Sequence, residues 1–299
     1  MKRRWLTVTG LFAATALALT GCGLPGGVDG NLVDDWAAAA EPVGFVPEAG
    51  ICHPTFEDVG HLHAYRPVDC TQAHAIETVH VGTFTGSDGA GTAPPETGST
   101  GMRTARADCE KRINELLGAP WRSGPMDVAV VPPSEAAWTG GARWYRCDAG
   151  QLRRLREDGY LTRTGTLKGA LGDSSELLYG CFEPKVSNDL IEDMKQVPCT
   201  TKHRSEFVGI WNAPDSSYTA FDRNTDRPHS ECRKLVAKFA KIPNDSDLEY
   251  RVGTIFFQPT ESEWEDGSRG VQCFLWNSEK QFTRSMKGAG TNGFPINYA

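Results

Sequence analysis

Twice along this chain a cysteine is followed at fixed spacing by a histidine and a glutamate: Cys70-Thr71-x-x-His74-x-x-Glu77 and Cys199-Thr200-x-x-His203-x-x-Glu206. A thiolate beside an imidazole is a nucleophile with its base. The same two groups are half of a zinc site. Both uses need a free thiol. Yet Cys52 stands eighteen positions before Cys70, and Cys181 eighteen before Cys199, and matched cysteines in an exported chain are expected to be oxidised. Zinc would also need two more ligands at a repeated spacing, which neither occurrence offers. The reading expected here is structural: His74 and His203 hydrogen-bond across the fold, with Glu77 and Glu206 as acceptors. Neither a metal nor a cofactor is expected.

Other chemistry-bearing residues are weaker candidates. His53, His61 and His63 could gather on a metal, but none recurs beside Cys181. Trp138 with Arg143, and Trp264 with Arg269, stand five apart around a glycine. On a surface such a pair stacks on a sugar or a peptide, but its recurrence favours an arginine lying on its own domain's tryptophan, a contact worth about 0.5–2 kcal/mol. Arg153, Arg154 and Arg156 form the one basic cluster, read as a solvated face with an anionic envelope partner as the sharper option. The sequence has no Gly-x-Ser-x-Gly elbow, phosphate loop, dinucleotide fingerprint or His-Glu-x-x-His. No catalytic residue is assigned, and the chain is not expected to be an enzyme.

The elements that must hold these residues come in duplicate. A later block, Pro133-x-Glu135-x-x-Trp138-x-x-Gly141-x-Arg143-x-x-x-Cys147, matches Pro259-x-Glu261-x-x-Trp264-x-x-Gly267-x-Arg269-x-x-x-Cys273 without a gap. Thr162-Arg163 and Lys168-Gly169 have counterparts in Thr283-Arg284 and Lys287-Gly288. Three matching blocks in one order imply a tandem duplication, residues 51–172 and 173–299. Between the outer blocks, Cys109, Ile113, Leu116 and Leu117 fall at helical spacing before Gly118, and Cys232, Val236, Phe239 and Ala240 do so before Pro243. Strand-like runs follow at 127–131 and 253–257. Each half is thus expected to be a small α+β domain: strands, one helix, then a strand pair.

Eight cysteines allow 105 pairings, but a duplicated domain needs only one choice among three. We pair Cys52 with Cys70, Cys109 with Cys147, Cys181 with Cys199 and Cys232 with Cys273. The second kind of link bolts the helix to its strands, and loops of this size are worth about 3–4 kcal/mol each in the chain-entropy model. The segments 86–101 and 212–227 differ between the halves, which makes them candidates for partner contacts.

The N-terminal residues suggest export. Lys2, Arg3 and Arg4 precede an uncharged run, Trp5 to Thr20, that is short for a membrane span. It ends Leu19-Thr20-Gly21-Cys22, which resembles a bacterial lipobox. Residues 1–21 are therefore expected to be a lipoprotein signal peptide. Cys22 is expected to be the lipidated first residue, carrying palmitate-type chains that anchor the protein at the outer face of the cytoplasmic membrane. Residues 22–50 are read as a flexible tether. Losing Lys2, Arg3 and Arg4 with no acid moves the net charge from −7 to −10, which argues against nucleic acid as a partner.

The pattern of a first cysteine, Cys-x-x-x-His-x-x-Glu, a helical cysteine, and Pro-x-Glu-x-x-Trp-x-x-Gly-x-Arg with its closing cysteine resembles the septum-formation domain family, once per half over 51–299. The resemblance implies an envelope protein linked to cell division and supplies no catalytic residues. Two functions compete. The first is a non-catalytic scaffold binding division or wall-assembly proteins; the second is a lipoprotein that captures a small molecule or wall fragment between the halves. A deep aromatic and polar pocket between them would favour capture.

Overall fold

The computed structural model describes residues 44–156, 159–188 and 190–297; the expected signal peptide and Cys22 lie outside them. The first half runs β1 (Ile51–His53), β2 (Ile76–Thr83), α1 (Gly86–Ala90), α2 (Thr100–Leu117), β3 (Met126–Val131), α3 (Glu135–Thr139) and β4 (Trp144–Gln151). The second runs β5 (Cys181–Ser187), β6 (Leu190–Val197), β7 (Ser205–Asn212), α4 (Tyr218–Asp222), α5 (Asp226–Ala240), β8 (Gly253–Phe257), α6 (Glu261–Glu265) and β9 (Gly270–Trp276), with α7 (Gly290–Gly293) near the end.

Each half builds one sheet, in the order β1-β2-β4-β3 and β6-β5-β7-β9-β8. All neighbouring strands are antiparallel. Even the irregularities correspond: β2 shifts register between Thr78 and His80, and β7 between Phe207 and Gly209. The second sheet has one more strand, β6, because Leu190–Val197 pair antiparallel with β5.

Helix α2 begins where the Ser99 side chain accepts from the Met102 amide and ends at Gly118, whose φ of 87° closes the last turn. Met102, Ala105, Cys109, Ile113 and Leu117 form its buried stripe. In α5 the stripe is Cys232, Val236, Ala237 and Ala240, and Lys241 at φ 56° takes the left-handed position. The helical cysteines are bonded to the sheet, Cys109 to Cys147 on β4 and Cys232 to Cys273 on β9. Cys52–Cys70 and Cys181–Cys199 close the shorter loops. The result is a disulfide-stapled α+β fold.

Two boundaries differ from the sequence reading. Residues 44–50 pack on the first sheet rather than extending the tether: Trp144 Nε1 donates to the Phe45 carbonyl at 3.0 Å, and the Gly50 amide to Thr78 at 2.8 Å. The halves also exchange side chains. Leu155, just past β4, joins the second core beside Tyr179, Phe182 and Phe274, while Leu177 and Leu178 pack on the first. Residues 44–299 form one compact unit.

Candidate functional site

The two halves meet through charged side chains. The turn after α2 is held by the Trp121 amide donating to Asn114 Oδ1 at 2.7 Å. This aims Arg122, stacked on Trp121 at 4.0 Å, into the second half. Arg122 Nη2 reaches Glu263 Oε1 at 3.1 Å and Ser268 Oγ at 3.0 Å, and its carbonyl accepts from Gln272 Nε2 at 2.7 Å. Arg106 on α2 bonds Glu263 Oε1 at 3.1 Å, Glu110 Oε1 at 3.0 Å and the Val128 carbonyl at 2.7 Å. Ser268 closes the ring by donating to Glu110 Oε1 at 2.8 Å. Burial opposes the charge on Glu263, but Arg122 and Arg106 together hold its carboxyl below the ordinary value. Charges this deep are tolerated only when paired, so the network fixes how the halves dock.

Beside the network lies a cavity of about 790 Å³, open at one side and lined by both halves. That volume lies within the usual range of ligand pockets, about 300–1,000 Å³. Trp121, Met126, Leu155 and Tyr160 line the cavity from the first half and Tyr218, Phe256 and Phe257 from the second. Strands β3 and β8, each the last of its sheet, border it. The Tyr160 hydroxyl donates to Asp127 Oδ2 at 2.5 Å, and burial and that carboxylate both raise its pKa, keeping it a neutral phenol. Gln258 Nε2 donates to the Tyr218 hydroxyl at 3.1 Å and to Asp222 at 2.8 Å. Arg156 also lines the cavity, with its guanidinium 4.9 Å from the Phe257 ring centre. It does so from a left-handed backbone, φ 59°, a conformation uncommon for any residue but glycine.

The repeated motif residues stand elsewhere. His74 and His203 do not bond Glu77 and Glu206, contrary to the sequence reading. Each imidazole Nδ1 donates instead to a carbonyl two residues back, Gln72 and Thr201, both at 2.8 Å. The reason is local: the tight turn after each second cysteine brings that carbonyl to the ring. Each Nε2 is buried without a protein partner. The glutamates clamp the exit segments. Glu77 accepts from the Thr166 hydroxyl at 2.8 Å and the Leu167 amide at 2.6 Å. Glu206 does the same with the Ser285 hydroxyl and the Met286 amide. Cys181, Cys199 and Glu206 bring three donor atoms within 4.8 Å, but the two sulfurs are bonded to each other.

Arg143 and Arg269 lie over Trp138 and Trp264 at 4.1 and 4.3 Å. The segments proposed for partner contacts are folded onto these pairs: Gly91 accepts from Trp138 Nε1 at 2.8 Å, and Ser216 from Trp264 Nε1 at 2.7 Å. His61 and His63 are exposed neighbours with ring centres 5.2 Å apart. Arg153 is exposed, and Arg154 stands 3.8 Å from Asp193.

His53 belongs to a buried cluster peculiar to the first half. Its Nε2 is hydrogen-bonded to Thr78 Oγ1 at 3.0 Å, and that hydroxyl donates to Asp148 Oδ1 at 2.7 Å. Arg146 pairs with Asp148 at 2.8 Å. Burial first, then the Arg146 charge, lower the His53 pKa to about 4, and burial pushes Asp148 up to about 6. Thr78 is 0 % exposed, so no substrate reaches this hydroxyl. The matching positions of the second half hold Phe182, Phe207, Phe274 and Gln272.

Sequence reading missed Arg106, Arg122, Glu263, Tyr160 and Tyr218. The available signal was where the repeat breaks. Glu263, Ser268 and Gly270 occupy the positions of Ala137, Ala142 and Trp144, and these are the positions that receive the other half.

No curated protein and no solved structure matches the chain. A family model described as septum formation matches residues 49–273. The match is one span through both halves, where the resemblance had been read once per half. The chain belongs to the septum formation family, which links it to cell division.

Proposed function

We propose that the protein is a non-catalytic envelope lipoprotein that captures a ligand in the cleft between its halves during septum formation. The observation that carries this reading is the cavity itself: about 790 Å³, bounded by aromatic rings and polar groups from both halves, beside a charged network that links the halves. Preformed walls lose little freedom when a ligand binds. The non-catalytic part rests on the placement of the candidate groups. The repeated cysteines are oxidised, the repeated histidines are buried, and the His53–Thr78–Asp148 chain is closed to solvent. Cys22 would hold the cleft at the outer face of the cytoplasmic membrane.

Scaffolding of division proteins is the second reading. It draws on the β5–β6 hairpin, where Leu190 is 70 % and Val186 44 % exposed, a small apolar tip suited to a protein contact. Native mass spectrometry of the protein, released gently from its own envelope, tests the choice. Capture predicts a non-covalent adduct that disappears when Glu261→Trp adds bulk to the cavity lining. Protein partners retained by that variant and lost with Leu190→Asp would favour scaffolding.

A further inference from the structure

We infer that the ligand of this cleft is an uncharged oligosaccharide seated between the rings of Tyr160 and Tyr218; the inference rests on the capture reading above. Three observations select that class.

The first is charge balance. Arg122 is spent on Glu263 at 3.1 Å, and Asp127 accepts the Tyr160 hydroxyl at 2.5 Å. Among the described lining residues this leaves Arg156 and Glu261, one of each sign, beside the Asp127 carboxylate, whose charge a neutral phenol does not cancel, so the lining sums to a single negative charge. A phosphate or carboxylate ligand calls for several converging cations, and a cationic ligand for the reverse. The cleft offers neither, so its ligand carries little charge.

The second is the state of the tyrosines. Each has its hydroxyl tied down, Tyr160 by Asp127 and Tyr218 by Gln258. Tyr160 also lies against the backbone of β4: a Cβ at Gly150 would stand 2.4 Å from its Cδ1. The rings are therefore positioned in advance, one from each half. A fixed aromatic face has an electron-rich surface that suits the weakly positive C–H face of a pyranose. Arg156, Gln258 and Glu261 in the lining supply donors and acceptors for hydroxyl and amide groups.

The third observation disfavours one competitor, an extended peptide added to the β3 edge. Strand β3 is such an edge, but its backbone at Val128 is already satisfied. The Val128 amide donates to Asp127 Oδ1 at 2.9 Å, and its carbonyl accepts from Arg106 Nη1 at 2.7 Å. The β3 edge is blunted where it meets the cleft, which leaves recognition along that strand to side chains.

The test is a fluorescence titration of the mature protein with two neutral probes, a β-1,4-linked N-acetylglucosamine tetramer and cellotetraose. Controls are inorganic phosphate and a ten-residue peptide of alternating valine and threonine. Saturable binding of at least one saccharide is expected. Tyr160→Ala and Tyr218→Ala should each weaken it about tenfold, while Leu190→Asp leaves it unchanged. Circular dichroism checks that each variant is folded. Binding of the peptide or of phosphate alone, sensitive to Tyr160→Ala, would overturn the saccharide and leave capture standing. Saccharide binding indifferent to both tyrosines would overturn the site. Failure of every probe, with no adduct on the protein released from its envelope, would overturn capture as well.

Discussion

Arg122 of the first half lies against Gly270 of the second: a Cβ at 270 would stand 2.9 Å from Arg122 Cδ. The matching position in the first half is Trp144, whose indole donates to Phe45 and covers that half's own sheet. One position of the repeat therefore carries a large lid in one half and a vacancy in the other. The vacancy is where the halves dock. Gly270→Ala should displace Arg122 and lower stability by about 1–3 kcal/mol, the usual cost of overpacking. Urea denaturation measures it.

Glu263 is the one carboxylate shared by Arg106 and Arg122, each at 3.1 Å. Glu263→Gln leaves two buried guanidinium groups without that charge, and a loss of about 3–5 kcal/mol is expected. The diagnostic result is two unfolding transitions in place of one, because the seam fails while the disulfides still hold each half. A single transition at the wild-type midpoint would show that the seam does not couple them.

The buried cluster of the first half sets a pH response. His53 has a folded pKa of about 4 against an ordinary 6.5. Its contribution is present above 6.5 and lost as pH falls towards 4. Asp148 has a folded pKa of about 6 against 3.8. Its neutral form is favoured by folding, so its contribution is present below 3.8 and lost as pH rises through 6. Between pH 4 and 6 the two oppose each other. Asp148→Asn should therefore show a Tm that falls more steeply than wild type on acidification from pH 6.5 to 4. His53→Gln should show the opposite slope. Melting curves across that range check both.

The helical crosslinks carry much of the stability of each half. Cys109→Ser removes the link from α2 to β4 and should cost about 2–5 kcal/mol. Non-reducing peptide mapping of the wild type should show four links, none joining residues 51–172 to 173–299.

What the sequence made legible follows from what repetition exposes. The helices carrying Cys109 and Cys232, the run 253–257, and the α+β class could be read because cysteine spacing and apolar periodicity are local and occur twice. The seam could not. Arg106 and Glu263 are charged residues that in isolation read as solvated, and only the fold brings residues 157 apart into one buried pair. The His–Glu motif misled for a related reason. Three-residue spacing places both side chains near one turn, but the partners of Glu77 and Glu206 come from exit segments about 90 and 80 residues later.

The capture account stands or falls most directly on complementation in dividing cells. A strain lacking the protein would receive either Tyr160→Ala or Leu190→Asp, each verified as folded and membrane-bound through Cys22, with septa then scored by time-lapse microscopy. The account predicts that Leu190→Asp restores normal septa and Tyr160→Ala does not. Normal septa with Tyr160→Ala, and failure with Leu190→Asp, would contradict it and assign the function to the exposed hairpin.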